Sequence, residues 1–364
     1  MYKSHSVGVI IPAYNEAEFV GDVIRDIPEY VDRVYVVEDC SDDETPEAIR
    51  TAAEAEAADA RPPAERRDND LSSINELYFE SEELAERVDE FYAIGRTVMI
   101  HHKQNLGAGG AIKTGYQFAL EDDTAIVATI DGDGQMDPTR LSRFLDPIVA
   151  GEADYTKGDR LSNDEHSGDM PQFRLFGNHI LTLLTRVASG YWEVTDPQNG
   201  YTAVRADVLE HVSIERMYEY YGYLNDLLVR LNIAGADIAD VPLPAVYDEE
   251  DSHIQYEEYI INVSQMLLRN FLWRLRVKYP PTKGHPIGLL AAFAGATATA
   301  GTVQLLHRFS AHQPDADEVT GTVGAVAMYL VAIASALLVL AFDRAIHTDK
   351  TNSTDHLAEN VVLP

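Results

Sequence analysis

The sequence predicts a doubly wound α/β nucleotide-binding domain followed by an amphipathic helix and two membrane-spanning helices. Short β-branched runs that stop at polar turns recur between about residues 6 and 250 and alternate with helical patterns, as in a parallel sheet covered by helices. One such run, Ala125 to Ile130, leads into Asp131-Gly132-Asp133-Gly134-Gln135. Two carboxylates thereby fall where a central strand ends, the usual ligand position in an open α/β sheet. Further on, Pro286 to Leu306 and Gly321 to Phe342 are uncharged and apolar, and each reaches the ~20 residues that a spanning helix needs.

The first strand is Val7 to Ile11, stopped by Pro12. Pro12-Ala13-Tyr14-Asn15-Glu16 follows as a polar turn, and then a helix through Glu18 to Ile24. No GxGxxG is present, which disfavours a dinucleotide-dependent dehydrogenase. A second strand, Arg33 to Val37, ends in Glu38-Asp39-Cys40-Ser41-Asp42-Asp43-Glu44-Thr45. These acids and hydroxyls can accept from a nucleobase and ribose, and Ser41 to Thr45 can equally cap the helix that begins near Pro46. Residues 46 to about 95 read as two surface helices around a polar break at Arg61 to Asp70. Thr97 to Ile100 is a third strand, followed by Asn105 to Gly115, a glycine-rich helix start. Glycines there suit close backbone approach to a phosphate or sugar, or helix packing.

For the Asp131–Gln135 stretch, two hard carboxylates and an amide oxygen suit Mg²⁺ or Mn²⁺ bridging to phosphates. An Asx/Gly turn is the alternative for an isolated D-G-D. Asp154 to Arg160 is a further strand end that carries an arginine, and an apolar helix runs from Ile180 to Val187. Asp196-Pro197-Gln198-Asn199-Gly200-Tyr201 is a turn presenting a carboxylate. Asn225-Asp226 lie inside an apolar helix, Tyr223 to Leu231, as buried structural partners or as site residues.

The net charge is −32, with 60 acidic residues against 28 basic ones, of which seven are lysine. So acidic a surface excludes a nucleic-acid partner, which needs a basic footprint, and fits solubility in high salt. The lone cysteine, Cys40, permits no intrachain disulfide, and the immediate start of a strand predicts no cleaved leader.

From Tyr256 to Tyr279, Ile260, Val263, Leu267, Phe271 and Leu275 share a helical face. Arg269, Arg274, Arg276 and Lys278 cluster with Phe271 and Trp273, as on an interfacial helix against anionic lipid. Two long uncharged stretches favour spanning over a buried hairpin. The basic residues before the first span and the acidic loop between the spans then predict that the α/β domain and both termini lie in the cytoplasm.

Together these motifs resemble inverting family 2 glycosyltransferases of GT-A fold, specifically the polyprenyl- or dolichol-phosphate sugar synthases. The likeness rests on Pro12 to Glu16, Glu38 to Thr45, Asn105 to Gly115, Asp131 to Gln135, Gly158-Asp159-Arg160 and Asp196 to Tyr201, in that order. It implies a Rossmann-like, mixed but mostly parallel sheet over residues 1–255 with an acidic helical insertion at about 50–95. An interfacial helix (256–283), a spanning hairpin (284–345) and a polar tail (346–364) follow, in a multi-pass membrane protein of haloarchaeal type. Pro12, Ala13, Tyr14, Asn15, Glu16, Glu38, Asp39, Lys113, Asp131 and Gly132 are implied in donor binding. Asp131, Asp133 and Gln135 are implied as ligands of Mg²⁺ or Mn²⁺. Arg160, Arg174 and Asn178 fall where relatives grip the acceptor phosphate, a task suited to the planar arginine fork.

The implied reaction moves one sugar from a UDP- or GDP-sugar to a polyprenyl (dolichyl) phosphate with inversion. Asp133, Arg160 and Arg174 take part, and Asp196 or Asp226 orients the sugar or acts as base. The implied partners are the donor, the acceptor lipid and the bilayer, with a homo-oligomer as an option. This chain reads Glu38-Asp39-Cys40-Ser41 where relatives have Asp-Asp-Gly-Ser, and Gly158-Asp159-Arg160 where they have Gly-Ser-Arg. After Val241-Pro242 it offers Tyr247 and His253 in place of a basic residue, and it lacks the Gln-x-x-Arg-Trp of processive enzymes. The rivals are a transferase that extends a lipid-linked glycan through a sugar hydroxyl, and a non-catalytic membrane nucleotide-sugar-binding protein.

Overall fold

The computed structural model describes residues 1–59, 81–160, 172–243, 256–310, 318–347 and 351–353, with side chains described except at 59, 172–179, 256–260, 308–310, 318–322 and 351–353. The polar break at Arg61 to Asp70, and Tyr247 and His253, lie outside these residues.

The first half of the chain alternates strand and helix: β1 (Val7–Ala13), α1 (Val20–Asp26), β2 (Arg33–Glu38) and α2 (Thr45–Asp59). Then come α3 (Glu82–Arg87), β3 (Val88–Ile94), β4 (Thr97–His102), α4 (Ala108–Glu121) and β5 (Ile126–Thr129). The second half holds α5 (Leu141–Val149), β6 (Tyr155–Asp159), α6 (Gln172–Ser189), β7 (Thr202–Arg205), the single turn α7 (Ala206–Leu209), α8 (Tyr223–Ala234) and β8 (Ile238–Pro242). Long helices follow: α9 (Tyr256–Lys278), α10 (Pro286–Ser310) and α11 (Glu318–His347), with a short strand β9 (Thr351–Ser353).

The strands form one sheet in the order β3-β4-β2-β1-β5-β7-β6-β8-β9. β3 and β7 run antiparallel to their neighbours and the remaining pairs are parallel, so the mixed, mostly parallel sheet expected from the sequence is present. Strand alternation builds a core on each face. Val7, Val9 and Ile11 with Val34 and Val36 pack under α1, α2 and α5. Ile10, Tyr35 and Val37 pack under α4 and α8 on the other face.

Residues 88–94 are a strand where a helix was expected. Gly95 turns the chain at φ 61, and β3 folds back antiparallel on β4. Pairing of Phe91, Tyr92 and Ala93 with Ile100, Met99 and Val98 outweighs the helical propensity of the acidic stretch before them. Asp89 and Glu90 are exposed on this edge strand, where charge discourages pairing with another chain.

Pro286–His307 and Val323–His347 are long and apolar enough to cross a membrane. Little of their most apolar 18-residue stretch is buried, 11% and 22%, unlike a hairpin inside a soluble core. The amphipathic helix α9 forms as expected, with a different face outward. Val263, Leu267 and Leu275 are buried, the first two packing with Ala188 and Val229 of α6 and α8. Ile261, Leu268 and Leu272, each more than half exposed, form the outer stripe. The apolar face chosen from the sequence covers protein, because α6 and α8 were there to receive it.

Candidate active site

The carboxyl ends of β1, β2 and β5 meet at one edge of the sheet. β1 and β2 are parallel and place Ala13 beside Glu38, and the amide of Asp39 donates to Ala13 O at 2.9 Å. Their loops are stitched together: Asn15 N–H donates to Ser41 Oγ at 3.0 Å, Asp42 N–H to Asn15 Oδ1 at 2.9 Å, and Glu16 N–H to Thr45 Oγ1 at 2.7 Å. Asn15 and Cys40 are both left-handed, at φ 58 and 62, a local strain that these bonds hold in place. Tyr14 is exposed at this edge. A Cβ on Gly132 would stand 2.9 Å from Pro12 O, so the D-G-D stretch lies directly against the first turn.

Two acids sit together here. Burial, and then the charge of Asp133, push the Asp131 carboxyl up to about 7, with Arg160 pulling the other way. Asp131 N–H donates to Met136 Sδ, and Gln135 N–H donates to Asp133 Oδ1 at 2.9 Å. Crowded hard oxygen donors, with the ionisation of Asp131 resisted by the charge of Asp133, fit a divalent cation that would relieve that repulsion. The bare Cα of Gly200 comes against Asp131: a Cβ would meet Oδ2 at 2.8 Å.

Arg160, at the end of β6, places Nε 2.8 Å and Nη2 3.3 Å from the two carboxylate oxygens of Asp196. Burial pushes the Asp196 carboxyl up, but Arg160 and then Lys157 outweigh it and hold it below its ordinary range. So depressed an acid is a weak base, and its geometry aims the guanidinium. Asn199 Nδ2 donates to Asp196 at 3.4 Å. The structure therefore joins Pro12 to Glu16, Glu38, Asp131, Asp133, Arg160 and Asp196 around one edge of the sheet.

Three residues expected at the site have partners within the protein. Asp39 is buried, its carboxylate 2.7 Å from His102 Nδ1 and accepting from the amides of Leu106 and Gly107 at 2.9 and 2.8 Å. It anchors the glycine-rich loop. The ammonium of Lys113 is enclosed by Glu83, Glu219 and the carbonyl of Glu215 at 2.5, 3.1 and 2.6 Å, because α4 presents it to the 215–220 loop. Asp226 is a buried structural hub: it accepts from Arg230 Nε at 2.8 Å, Tyr218 N–H at 2.9 Å and Asn270 Nδ2 at 2.6 Å. The glycines of α4 serve packing as well, since a Cβ on Gly109 would stand 2.6 Å from Tyr218 O. Glu38 accepts from Ser41 N–H at 2.5 Å and sits 3.4 Å from His101 Nδ1. Burial raises its carboxyl, and these contacts outweigh burial and lower it. The side chains of Arg174 and Asn178, in the first turns of α6, lie outside the described residues.

The sequence assigns no separate role to Gly200 or Asn199 within their turn, nor to the buried pair Lys157–Asp240. The last two are register partners on parallel strands, 2.9 Å apart, and Asp240 also takes Thr195 Oγ1 at 2.7 Å. The charge of Asp240 among the apolar residues of β8 was the available signal.

A dolichyl-phosphate N-acetylglucosaminyltransferase of Methanococcus voltae that uses UDP-N-acetylglucosamine is 27% identical over 242 residues, 66% of this chain and 86% of that one. A dolichyl-phosphate hexose transferase of Haloferax volcanii is 27% identical over 245 residues, 67% of this chain and 84% of its own. An undecaprenyl-phosphate mannosyltransferase of Micrococcus luteus is 28% identical over 152 residues, 42% of this chain and 61% of that protein. Among solved structures, the glucosyl-3-phosphoglycerate synthase of Mycobacterium tuberculosis is similar at 18% identity and a TM-score of 0.45, covering 74% of this chain and 81% of that one. The family model for glycosyl transferase family 2 matches residues 8–63 and 80–213, more than half of the chain and the stretch that carries the acidic pair and Asp196. The chain belongs to glycosyl transferase family 2.

Proposed function

We propose that the protein transfers a single sugar from a UDP- or GDP-linked donor to a polyprenyl (dolichyl) phosphate, inverting the anomeric centre, at the cytoplasmic face of the membrane. The observation that carries this reading is the convergence of the Asp131–Asp133 pair and the Asp196-aimed Arg160 in a chain with two helices able to cross a bilayer. The named relatives that act on dolichyl phosphate support the acceptor class.

Asp131, Asp133 and Gln135 would hold Mg²⁺ or Mn²⁺, which supplies charge neutralisation to the leaving diphosphate when bound. The turns at Pro12 to Glu16 and Glu38 to Thr45 receive the nucleoside. Arg160 grips the acceptor phosphate, with Arg174 and Asn178 assigned beside it. A phosphate acceptor is already anionic near pH 7, so positioning by Arg160 replaces deprotonation as the main requirement. Asp196 holds the guanidinium in place. Arg276, Lys278 and Lys283 ahead of the first span support a cytoplasmic side for the domain.

The test is a screen of UDP- and GDP-sugars with membranes holding the protein, scoring sugar attached to bare polyprenyl phosphate. Asp133→Ala is expected to abolish transfer and metal-dependent donor binding. Unchanged transfer in that variant, or product formed on a lipid-linked glycan alone, would overturn the proposal.

A further inference from the structure

The last apolar helix carries an acid, Asp343, that is fully buried against an equally buried arginine, Arg274 of α9. The pair is two-pronged: Arg274 Nη1 reaches Asp343 Oδ1 at 2.9 Å and Nη2 reaches Oδ2 at 2.8 Å. The same guanidinium donates through Nε to Ala188 O at 2.9 Å and through Nη2 to Val187 O at 3.2 Å. Those carbonyls belong to the last turn of α6, where a helix lacks partners and favours a cation. Gly190 closes the helix at φ 80, and a Cβ there would stand 2.3 Å from Arg274 Nη1, so the backbone is pressed onto the pair.

Asp343 also accepts from Tyr279 Oη at 2.8 Å and Trp192 Nε1 at 3.3 Å. Trp192 lies four residues before Asp196. Along that stretch Thr195 is tied to Asp240 and Asp196 to Arg160, and Gly200 rests against Asp131. One chain segment, 187–200, thus runs from the membrane hairpin to the acidic pair.

We infer that Asp343 is a positioning residue: through Arg274 and Trp192 it fastens the second apolar helix to the 187–200 segment and so fixes Asp196 and Arg160 for the acceptor. The hairpin is then a working part of the site as well as an anchor. Buried ion pairs contribute little net stability yet are costly to break on one side, which suits a fastening more than a general staple.

The acceptor part of this inference rests on the proposed function, so the experiment has two independent readouts on the full chain in detergent. The first is amide hydrogen exchange in Asp343→Ala. Residues 187–200 should exchange at least about tenfold faster, the worth of one lost charge-assisted hydrogen bond, while the central strands β1, β2 and β5 keep their protection. The second is kinetics: KM for polyprenyl phosphate should rise by about the same factor, with KM for the donor within about twofold.

Unchanged exchange over 187–200, or exchange raised equally across the central strands, would overturn the inference whatever the enzyme's substrate. If exchange changes as expected but the wild-type protein transfers nothing to polyprenyl phosphate, the fastening stands and the proposed function falls. Should Asp343→Ala not accumulate, Trp192→Phe removes only the indole N–H and is expected to loosen the same segment more weakly. No change there would equally count against the inference.

Discussion

Gly200 offers a sharp probe of the acidic pair, because a single methyl group can be placed against it without straining the backbone. A Cβ at this position would stand 2.8 Å from Asp131 Oδ2, 3.2 Å from Met136 Cε and 3.3 Å from Asp131 Cγ. Ordinary contact begins at 3.4 Å, so the carboxylate must retreat by about 0.6 Å or the turn must lift by as much. Met136 is flexible and can yield; Asp131 is held by its strand end and by Gly132 against Pro12 O. Forcing extra volume into such a contact typically costs ~1–3 kcal/mol, and a displacement of about 1 Å at a site costs roughly a hundredfold in rate. Gly200→Ala is therefore expected to lower transfer by about 10- to 100-fold and to weaken metal-dependent nucleotide binding, with at most a few degrees lost in melting temperature. Initial rates, a metal titration followed by nucleotide binding, and a thermal melt on the same preparation measure all three. A variant with wild-type rate and metal affinity would refute the placement of Gly200 against Asp131 and the metal role of that acid.

Two further outcomes are expected. For the Arg160–Asp196 pair, the Asp196 carboxyl is held below its ordinary value of 3.8, so its stabilisation is complete above that value and is lost as pH falls through the lower folded one. The stability gap between wild type and Asp196→Asn, on the order of 1 kcal/mol for so exposed a guanidinium, should be constant from pH 5 to 7 and close below about pH 4; a gap that persists into acid would show the pair is not formed. Lys113→Met should cost on the order of 1–3 kcal/mol of stability by removing one of the two buried cations, Lys113 and Arg87, that pair with Glu83 and Glu219, with the donor KM unchanged. A raised donor KM with an unchanged melting temperature would return Lys113 to the nucleotide site.

Several site residues were legible because their signal is local. A β-branched run ending in Asp131-Gly132-Asp133 announces a strand end with a ligand, and Pro12 to Glu16 and Glu38 to Thr45 announce loops at neighbouring ends. Lys113 and Asp226 are harder to read for the opposite reason. A charged side chain in an apolar helix declares that it needs a partner without saying whether that partner is substrate or protein. Here the partners are Glu83 and Glu219 for one, and Arg230, Tyr218 and Asn270 for the other. The strand β3 hid in an acidic stretch because its identity comes from pairing with β4, and strand preference depends on neighbours more than helix preference does.

By itself the sequence determined the α/β class, the two helices able to cross a membrane and the acidic pair at the end of a central strand. Each of these follows from periodicity, length or residue type within a few turns of chain. Tertiary structure alone decided that Val263 and Leu267, on the apolar stripe of α9, pack on α6 and α8. It also brought Gly200 to Asp131, paired Lys157 with Asp240 across two strands, and delivered Asp343 from the last apolar helix to Arg274. The last three contacts join residues from 69 to 83 positions apart, and such partners are chosen by where the sheet and its covering helices bring the chain together.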